Sequence, residues 1–451
     1  MGLSTLTAAR ILEGQMRGES GEENRLSFEN FPYTAFSKTY SADQQTPDSA
    51  ATMSAIVTGL KSNGRTVSVN RKVSQSDHAA VAGNESKTIL EMAEESGRST
   101  GIVTTENVTG ATPAACYAHT AYRYWESDRD IAADSSVPKD ARVQDIASQL
   151  IGFKYGDGLD VVFGGGRSKF LPRETKDPEY ADKTGERFDK RDLTAEWLAN
   201  RDDAAYIWNR KQFDSIDLKK TRHVLGLFEP QGMPYAHDTH PSEPSLTEMT
   251  SKAIDLLSQN KKGYFLIVEA DQIDTAHHAT NAYHALTDTI ELSNAVRAAL
   301  AKVDLRETLI IVTADHDHTL TISGSYNSRG NNILGLSRYN DRHGKPRADF
   351  ARDRNGMPFT PLGYANGPGH RDHTIEQKDG KAVIKRADVA QLNTTDHNYR
   401  QDAMVPLSSE SHSAADVAIF AAGAGAYLVR GSMEQNWIFY VMSEAMKLRG
   451  P

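Results

Sequence analysis

The sequence predicts an α/β fold, a mainly parallel central sheet flanked by helices. Three observations predict it. Short runs rich in β-branched residues alternate with longer stretches of helical periodicity, the pattern of βα units. Most of the strand-like runs are continuously apolar rather than alternating, as expected of strands covered on both faces. The 451 residues, 38% hydrophobic and 25% charged, are enough for a large buried core.

The elements follow in order. Thr7-Ala8-Ala9-Arg10-Ile11-Leu12-Glu13 reads as a helix behind a Ser or Thr cap, with no strand ahead of it. Strands are expected over 101–105, 161–164, 224–228, 264–269, 308–315 and 417–421, and helices over 143–151, 248–257 and 283–303. The last helix is expected to start at a capping box of Ser432 and Gln435. It carries Met433, Trp437, Ile438, Val441 and Met442 as a core-packing stripe and stops at Gly450-Pro451. Two segments depart from this pattern, a highly charged one at about 168–222 and one rich in Gly, Asn, Asp, Arg and His at about 322–405. Both read as insertions on one large domain spanning 1–451.

Composition narrows the chemistry. A net charge of −9 disfavours a nucleic-acid-binding module. The longest nearly uncharged apolar stretch, 417–429, is well short of the ~20 residues a spanning helix needs. The basic and apolar regions of a secretory signal are not seen in the given sequence. A single cysteine, Cys116, excludes an intramolecular disulfide and a multi-cysteine zinc site, whereas fifteen histidines leave a His/Asp metal site open.

Four motifs could carry that chemistry. Val312-Thr313-Ala314-Asp315-His316-Asp317-His318 ends an apolar strand in alternating acids and imidazoles, where ligands bind in open α/β sheets. Tyr264–Glu269 delivers another strand to Asp271, Asp274, His277 and His278. Asp274 and His278 are four apart and share a helical face, a donor set that suits zinc; an all-oxygen site around Glu269 suits magnesium. Pro47-Asp48-Ser49 precedes a helical run, so Asp48 or Ser49 is either a plain N-cap or part of a phosphate site at a helix N-terminus. Ser411-His412-Ser413 and Arg123 are each open to a structural reading as well as a ligand one. With no Gly-x-Ser-x-Gly elbow, a serine nucleophile here would need metal activation.

Taken in order, these residues resemble the alkaline phosphatases, closest to the animal-type branch and its bacterial relatives. The resemblance is carried by Phe31-Pro32-Tyr33, Ser37-Lys38-Thr39-Tyr40, Pro47-Asp48-Ser49, Ala111-Thr112-Pro113-Ala114, Val268-Glu269, Thr313-Ala314-Asp315-His316 and Glu410-Ser411-His412. It implies an alkaline-phosphatase-like sandwich with a metal triad, hydrolysing phosphate monoesters through a phosphoserine. On that resemblance Ser49 matches the nucleophile and Arg123 the phosphate clamp. Asp274, His278 and His412 match one zinc site, and Asp315 and His316 the other. Glu269 and Thr112 match the magnesium site, with His318 and Asp48 behind the direct ligands. Glu196, Glu229, Glu243 and the Phe228 carbonyl sit where animal-type relatives bind calcium, and the 322–405 insertion resembles the crown that contributes to a homodimer. The resemblance further implies a periplasmic or secreted protein.

Three departures stand out. The family begins with a strand ending in Asp-Gly-Met-Gly, whose Asp bridges zinc and magnesium; the given sequence starts at Met1-Gly2, so that strand is expected to lie upstream. Gly110 stands where relatives carry Asp or His near the magnesium, which opens the identity of the third metal. Cys116 is unpaired where many relatives have disulfides. The alternatives are a phosphodiesterase or sulfatase of the same superfamily, or a catalytically impaired form that binds metal or phosphate. A sulfatase motif is missing at 47–50, and the Arg123 match speaks against a diesterase.

Overall fold

A computed structural model describes residues 1–324, 326–378 and 381–448. They form two compact units: a larger one of Phe31–Asp271, Asn294–His316 and Ala414–Pro451, and a smaller one of Met1–Asn30, Gln272–Ser293 and Asp317–Ser413. In the larger unit the chain lays down β1 (Tyr33–Lys38), β2 (Ser99–Asn107), β3 (Val161–Gly165), β4 (Ala204–Ile207), β5 (His223–Leu227), β6 (Tyr264–Glu269) and β7 (Leu309–Thr313). The smaller unit supplies β8 (Asp317–His318), β9 (Leu320–Ile322), β10 (Leu362–Gly367), β11 (Thr374–Lys378), β12 (Lys381–Lys385), β13 (Ala403–Pro406) and β14 (His412–Ser413). The chain then closes the larger unit with β15 (Val417–Gly423) and β16 (Gly431–Glu434).

The larger unit is built on an all-parallel central sheet of order β4-β5-β3-β2-β6. β3 and β5 are buried throughout, which explains their uninterrupted apolar sequences. The helix Leu246–Leu257 packs on β2, β3 and β6. Its start is fixed by a capping box in which Ser245 Oγ accepts from the Glu248 amide at 3.2 Å while Glu248 accepts from the Ser245 amide at 2.9 Å. Leu246, Met249, Ala253, Ile254 and Leu257 then fall on one buried face. Each large member of that face stabilises the fold by about 1.5–3 kcal/mol through burial. A second sheet, β16-β1-β15-β7, pairs β1 parallel to β16 and antiparallel to β15, which in turn pairs antiparallel with β7. β6 and β7 each end their sheet and are only half-buried along most of their length.

The expected strands are all present, extended or trimmed by a few residues at their ends. β1 was not anticipated; its outward positions are polar or aromatic and only two of its six residues are buried, so its hydrophobic signal is weak. The capping box at Ser432 is corrected. Ser432 lies in β16 opposite Phe36, and the last helix starts later, at Trp437–Ala445, behind Asn436. Gly450 and Pro451 lie outside the described residues. The N-terminal helix, Leu3–Met16, begins behind Gly2 without a side-chain cap, because Thr5 is inside the helix and its hydroxyl meets His277 Nε2 at 3.0 Å. Part of the 168–222 segment is β4, an edge strand of the central sheet rather than an excursion from it.

In the smaller unit, β9, β10 and β13 form one sheet, and β11 and β12 form a hairpin. β8 and β14 make a short antiparallel ladder with His318 opposite His412. That ladder brings two imidazoles, 94 residues apart in sequence, into register.

Candidate active site

The smaller unit holds an imidazole–carboxylate cluster. Asp274 and His278 share one face of the helix Gln272–His278, and the β8–β14 ladder supplies His318 and His412. His278 Nε2 lies 3.1 Å from Asp274 Oδ2 and 3.2 Å from His412 Nε2, which is 3.6 Å from Asp274 Oδ1. His318 bridges two acids, with Nε2 2.6 Å from Asp274 Oδ1 and Nδ1 2.7 Å from Glu410 Oε2. Burial opposes the charged form of His318, but Asp274 and Glu410 overcome it and push its pKa up to about 9. Burial would raise Asp274, yet His318 and His278 hold it well below the usual carboxylate range. His278 Nδ1 bonds the Glu410 carbonyl and turns Nε2 toward Asp274; burial works against the charged imidazole, but its hydrogen bond to Asp274 raises it. Fully buried His277 stacks on His318 with ring centroids 4.8 Å apart and bonds the Tyr364 hydroxyl at 2.8 Å.

The larger unit holds the serine. Ser49 is the first residue of the helix Ser49–Thr58. Asp48 precedes it without making a side-chain cap. Instead Asp48 Oδ1 accepts from the Arg65 amide at 2.8 Å, and Oδ2 pairs with Arg123 Nη1 at 3.2 Å. The plain N-cap reading of Asp48 is therefore set aside: its carboxylate orients Arg123. Ser49 Oγ is 3.2 Å from His316 Nε2, which is 3.3 Å from Asp315 Oδ2. Thr52 donates to that same Asp315 oxygen at 3.0 Å, and Gln435 donates to the Asp315 carbonyl at 2.6 Å.

Beside this, the C-terminal ends of β2 and β6 present Glu106 and Glu269, with Asp271 just beyond. Carboxylate oxygens of all three lie within 4.8 Å of one another. Thr104 donates to Glu269 Oε2 at 2.6 Å, and Thr112 also hydrogen-bonds its carboxylate. Burial, then the charge of Asp271, pushes Glu269 up to about 8 and raises Glu106 well above the usual range. Arg123 is also raised; burial works against its charge, but Asp48 and Glu106 more than offset it.

Of the four residues matched to calcium, Glu229 and Glu243 meet through a hydrogen bond, and burial together with Glu229 pushes Glu243 up to about 8. Tyr180 donates to Glu229 at 2.7 Å, and Phe228 is fully buried. Glu196 is engaged elsewhere, by both Arg191 Nε at 2.8 Å and Nη2 at 2.6 Å. Sequence reasoning did not assign roles to Glu106, Asp271, Thr104, Thr52 or Glu410. A signal for Glu106 existed: it stands at a parallel-strand C-terminus, the rule that singled out Glu269 and Asp315.

The alkaline phosphatase family model matches residues 1–448. The chain belongs to the alkaline phosphatase family. It is 40% identical over 451 residues to the alkaline phosphatase of Gadus morhua, covering 99% of this chain and 89% of that protein. It is also 40% identical over 455 residues to the tissue-nonspecific isozyme of Mus musculus, covering 99% and 81%. Among solved structures, the alkaline phosphatase of Thermus thermophilus superposes with a TM-score of 0.68 at 21% identity, covering 100% of this chain and 89% of that one. That of the Antarctic bacterium TAB5 gives 0.64 at 22% identity, covering 99% and 96%. A TAB5 variant solved with Mg bound in the M3 site also gives 0.64, at 21% identity, covering 100% and 95%. The protein is thus a phosphatase, an enzyme of phosphate monoesters from a metal-dependent family.

Proposed function

We propose that this alkaline phosphatase hydrolyses phosphate monoesters through a phosphoserine on Ser49, with two zinc ions and one magnesium ion. One observation carries the reading: the spacing of two donor triads. In a tetrahedral zinc shell with bonds of about 2.0 Å, neighbouring donors stand about 3.3 Å apart. The donors of Asp274, His278 and His412 lie 3.1–3.6 Å from one another. Those of Ser49 and Asp315 lie 3.2 and 3.3 Å from His316 Nε2. Imidazole nitrogen with carboxylate oxygen is a donor set that suits zinc, and the oxygens of Glu269 and Thr112 suit magnesium.

Bound there, the metals would supply Lewis acidity, lowering the pKa of a ligating oxygen and neutralising charge on the phosphoryl group. Ser49 Oγ attacks phosphorus in line, forming the P–O bond of phosphoserine as the bond to the leaving alcohol oxygen breaks. Arg123, aimed by Asp48, offers two parallel N–H donors to the equatorial phosphoryl oxygens. Water then attacks the phosphoserine, releasing phosphate and returning the serine. His318 fixes the Asp274 carboxylate, so that one oxygen remains directed at the cluster. A calcium ion at Glu229, Glu243 and the Phe228 carbonyl completes the metal complement of this reading, with Glu196 left to Arg191. The reading carries with it a homodimer and a periplasmic or secreted location, as the family resemblance implies.

Acid quenching during p-nitrophenyl phosphate turnover, followed by peptide mass spectrometry, should find phosphate on Ser49. Ser49→Ala should lower turnover by about three orders of magnitude or more. Turnover that survives Ser49→Ala would reject the nucleophile.

A further inference from the structure

Gly110 precedes the short helical turn Ala111–Ala114, which carries Thr112, and its φ of −60° is open to any residue. Backbone conformation therefore does not call for glycine here. What does is the side chain opposite. A Cβ on residue 110 would lie 2.0 Å from Glu106 Oε2 and 2.1 Å from its Cδ. The Glu106 carboxylate thus occupies the volume into which any side chain from position 110 would project. From there its oxygen comes within 4.8 Å of oxygens of both Glu269 and Asp271. Glu269 in turn takes hydrogen bonds from the Thr104 and Thr112 hydroxyls.

We propose that Glu106 is a direct ligand of the third metal, a hard divalent cation of the magnesium class, and that Gly110 is the residue that makes room for it. This rests on the magnesium reading of Glu269 and Thr112 above. Three carboxylates and two hydroxyls form an all-oxygen donor set, which selects magnesium or manganese over zinc. Three carboxylates this close resist ionising together in a half-buried site, and a divalent cation among them lets all three carry charge. Arg123, the neighbouring cation, pairs through Nη1 with Asp48 and offsets only part of that charge.

The test uses the full chain, stripped with chelator, reloaded with zinc and calcium and titrated with Mn²⁺ while electron paramagnetic resonance reads the free ion. The parent should take up one Mn²⁺ beyond its zinc. Glu106→Gln should weaken that uptake at least tenfold, since even residues behind the direct ligands change metal affinity by about 10- to 100-fold. Zinc content should stay constant. The double variant Glu106→Ala, Gly110→Asp moves a carboxylate into the same volume from the other side and should recover parent affinity to within about threefold. A Glu106→Gln chain that binds Mn²⁺ as the parent does overturns the assignment of Glu106 and leaves the third site standing. A double variant that fails to recover binding, with an unchanged circular dichroism spectrum, overturns the shared-volume argument. A parent that takes up no Mn²⁺ beyond zinc overturns both this inference and the magnesium reading beneath it.

Discussion

Stripping the metals should make the protein less stable as the pH rises, the opposite of ordinary acid denaturation. One group responsible is Glu269, which burial and the charge of Asp271 push from 4.5 to about 8; Glu243 and Glu94, pushed by burial up to about 8 and about 9, act with it. A carboxyl that holds its proton more tightly when folded adds stability that is fully present below 4.5 and is lost as the pH climbs through about 8. That difference corresponds to a ceiling of about 5 kcal/mol, shared with Glu106 and Asp271 because the three titrate together. His318 acts in the same direction, its contribution being present below 6.5 and lost through about 9. Urea unfolding of the chelated chain at fixed ionic strength, from about pH 5 to about pH 9, reads the effect. With an m-value of about 4 kcal/mol/M for a chain this long, the Glu269 ceiling alone moves the midpoint down by about 1 M. Glu269→Gln should flatten the slope, and added Mg²⁺ should reverse it, since a cation binds the deprotonated carboxylates and stabilises more as protons leave. A chelated parent whose midpoint stays level or rises over this range, or a Glu269→Gln chain with the parental slope, refutes the reasoning.

Arg123→Ala should lower kcat/KM for p-nitrophenyl phosphate by about 100-fold, the ~3 kcal/mol expected for losing a preorganised donor pair to the phosphoryl oxygens. Arg123→Lys should recover only part of it, and a loss under about fivefold for the alanine variant would count against the clamp. Asp145→Ala should destabilise the larger unit strongly. It strips fully buried Arg187 of two hydrogen bonds at 3.0 and 2.9 Å, and the helix Ile146–Ile151 of its cap at 2.8 Å on Ser148 N. Arg187 keeps its pairing with Asp189 at 3.1 and 2.6 Å, so the lost bonds cost about 1.5–3 kcal/mol and the cap about 1 kcal/mol. At an unfolding entropy of about 2.1 cal/mol/K per residue, calorimetry should show Tm lower by about 3–4 °C; an unchanged Tm would refute the role given to this pair.

The parts of this protein legible in its sequence were those where one physical demand dominates. β3 and β5 announce themselves because interior strands must be apolar on both faces, and Asp315-His316 stands out because charge directly after an apolar strand has few structural uses. β1 went unread because only Ala35 and Ser37 of its residues are buried, and Ser432 misled because a capping-box pattern also fits a strand followed by a turn. Side-chain contacts made only in the folded chain were out of reach. No local signal places Glu410 against His318, 92 residues away, or makes Gly110 the complement of Glu106. Family resemblance recovered the first of these only as a neighbour of His412 and did not recover the second.

β6 and β7 also carry sheet margins of a particular kind. Among the described residues each is the outermost strand of its sheet, and neither Tyr264-Phe265-Leu266-Ile267-Val268 nor Leu309-Ile310-Ile311-Val312 contains a lysine, a proline or a glycine. Those are the devices by which proteins ordinarily keep a sheet edge from recruiting a further strand. Both runs instead combine high β-propensity with no charge, the composition of a strand that accepts a neighbour. Each margin is therefore a place where a further strand can dock, on the strands that deliver Glu269 and lead into Asp315. A lysine at Ile310, half-buried on β7, is the substitution that would discourage such docking without touching a metal donor.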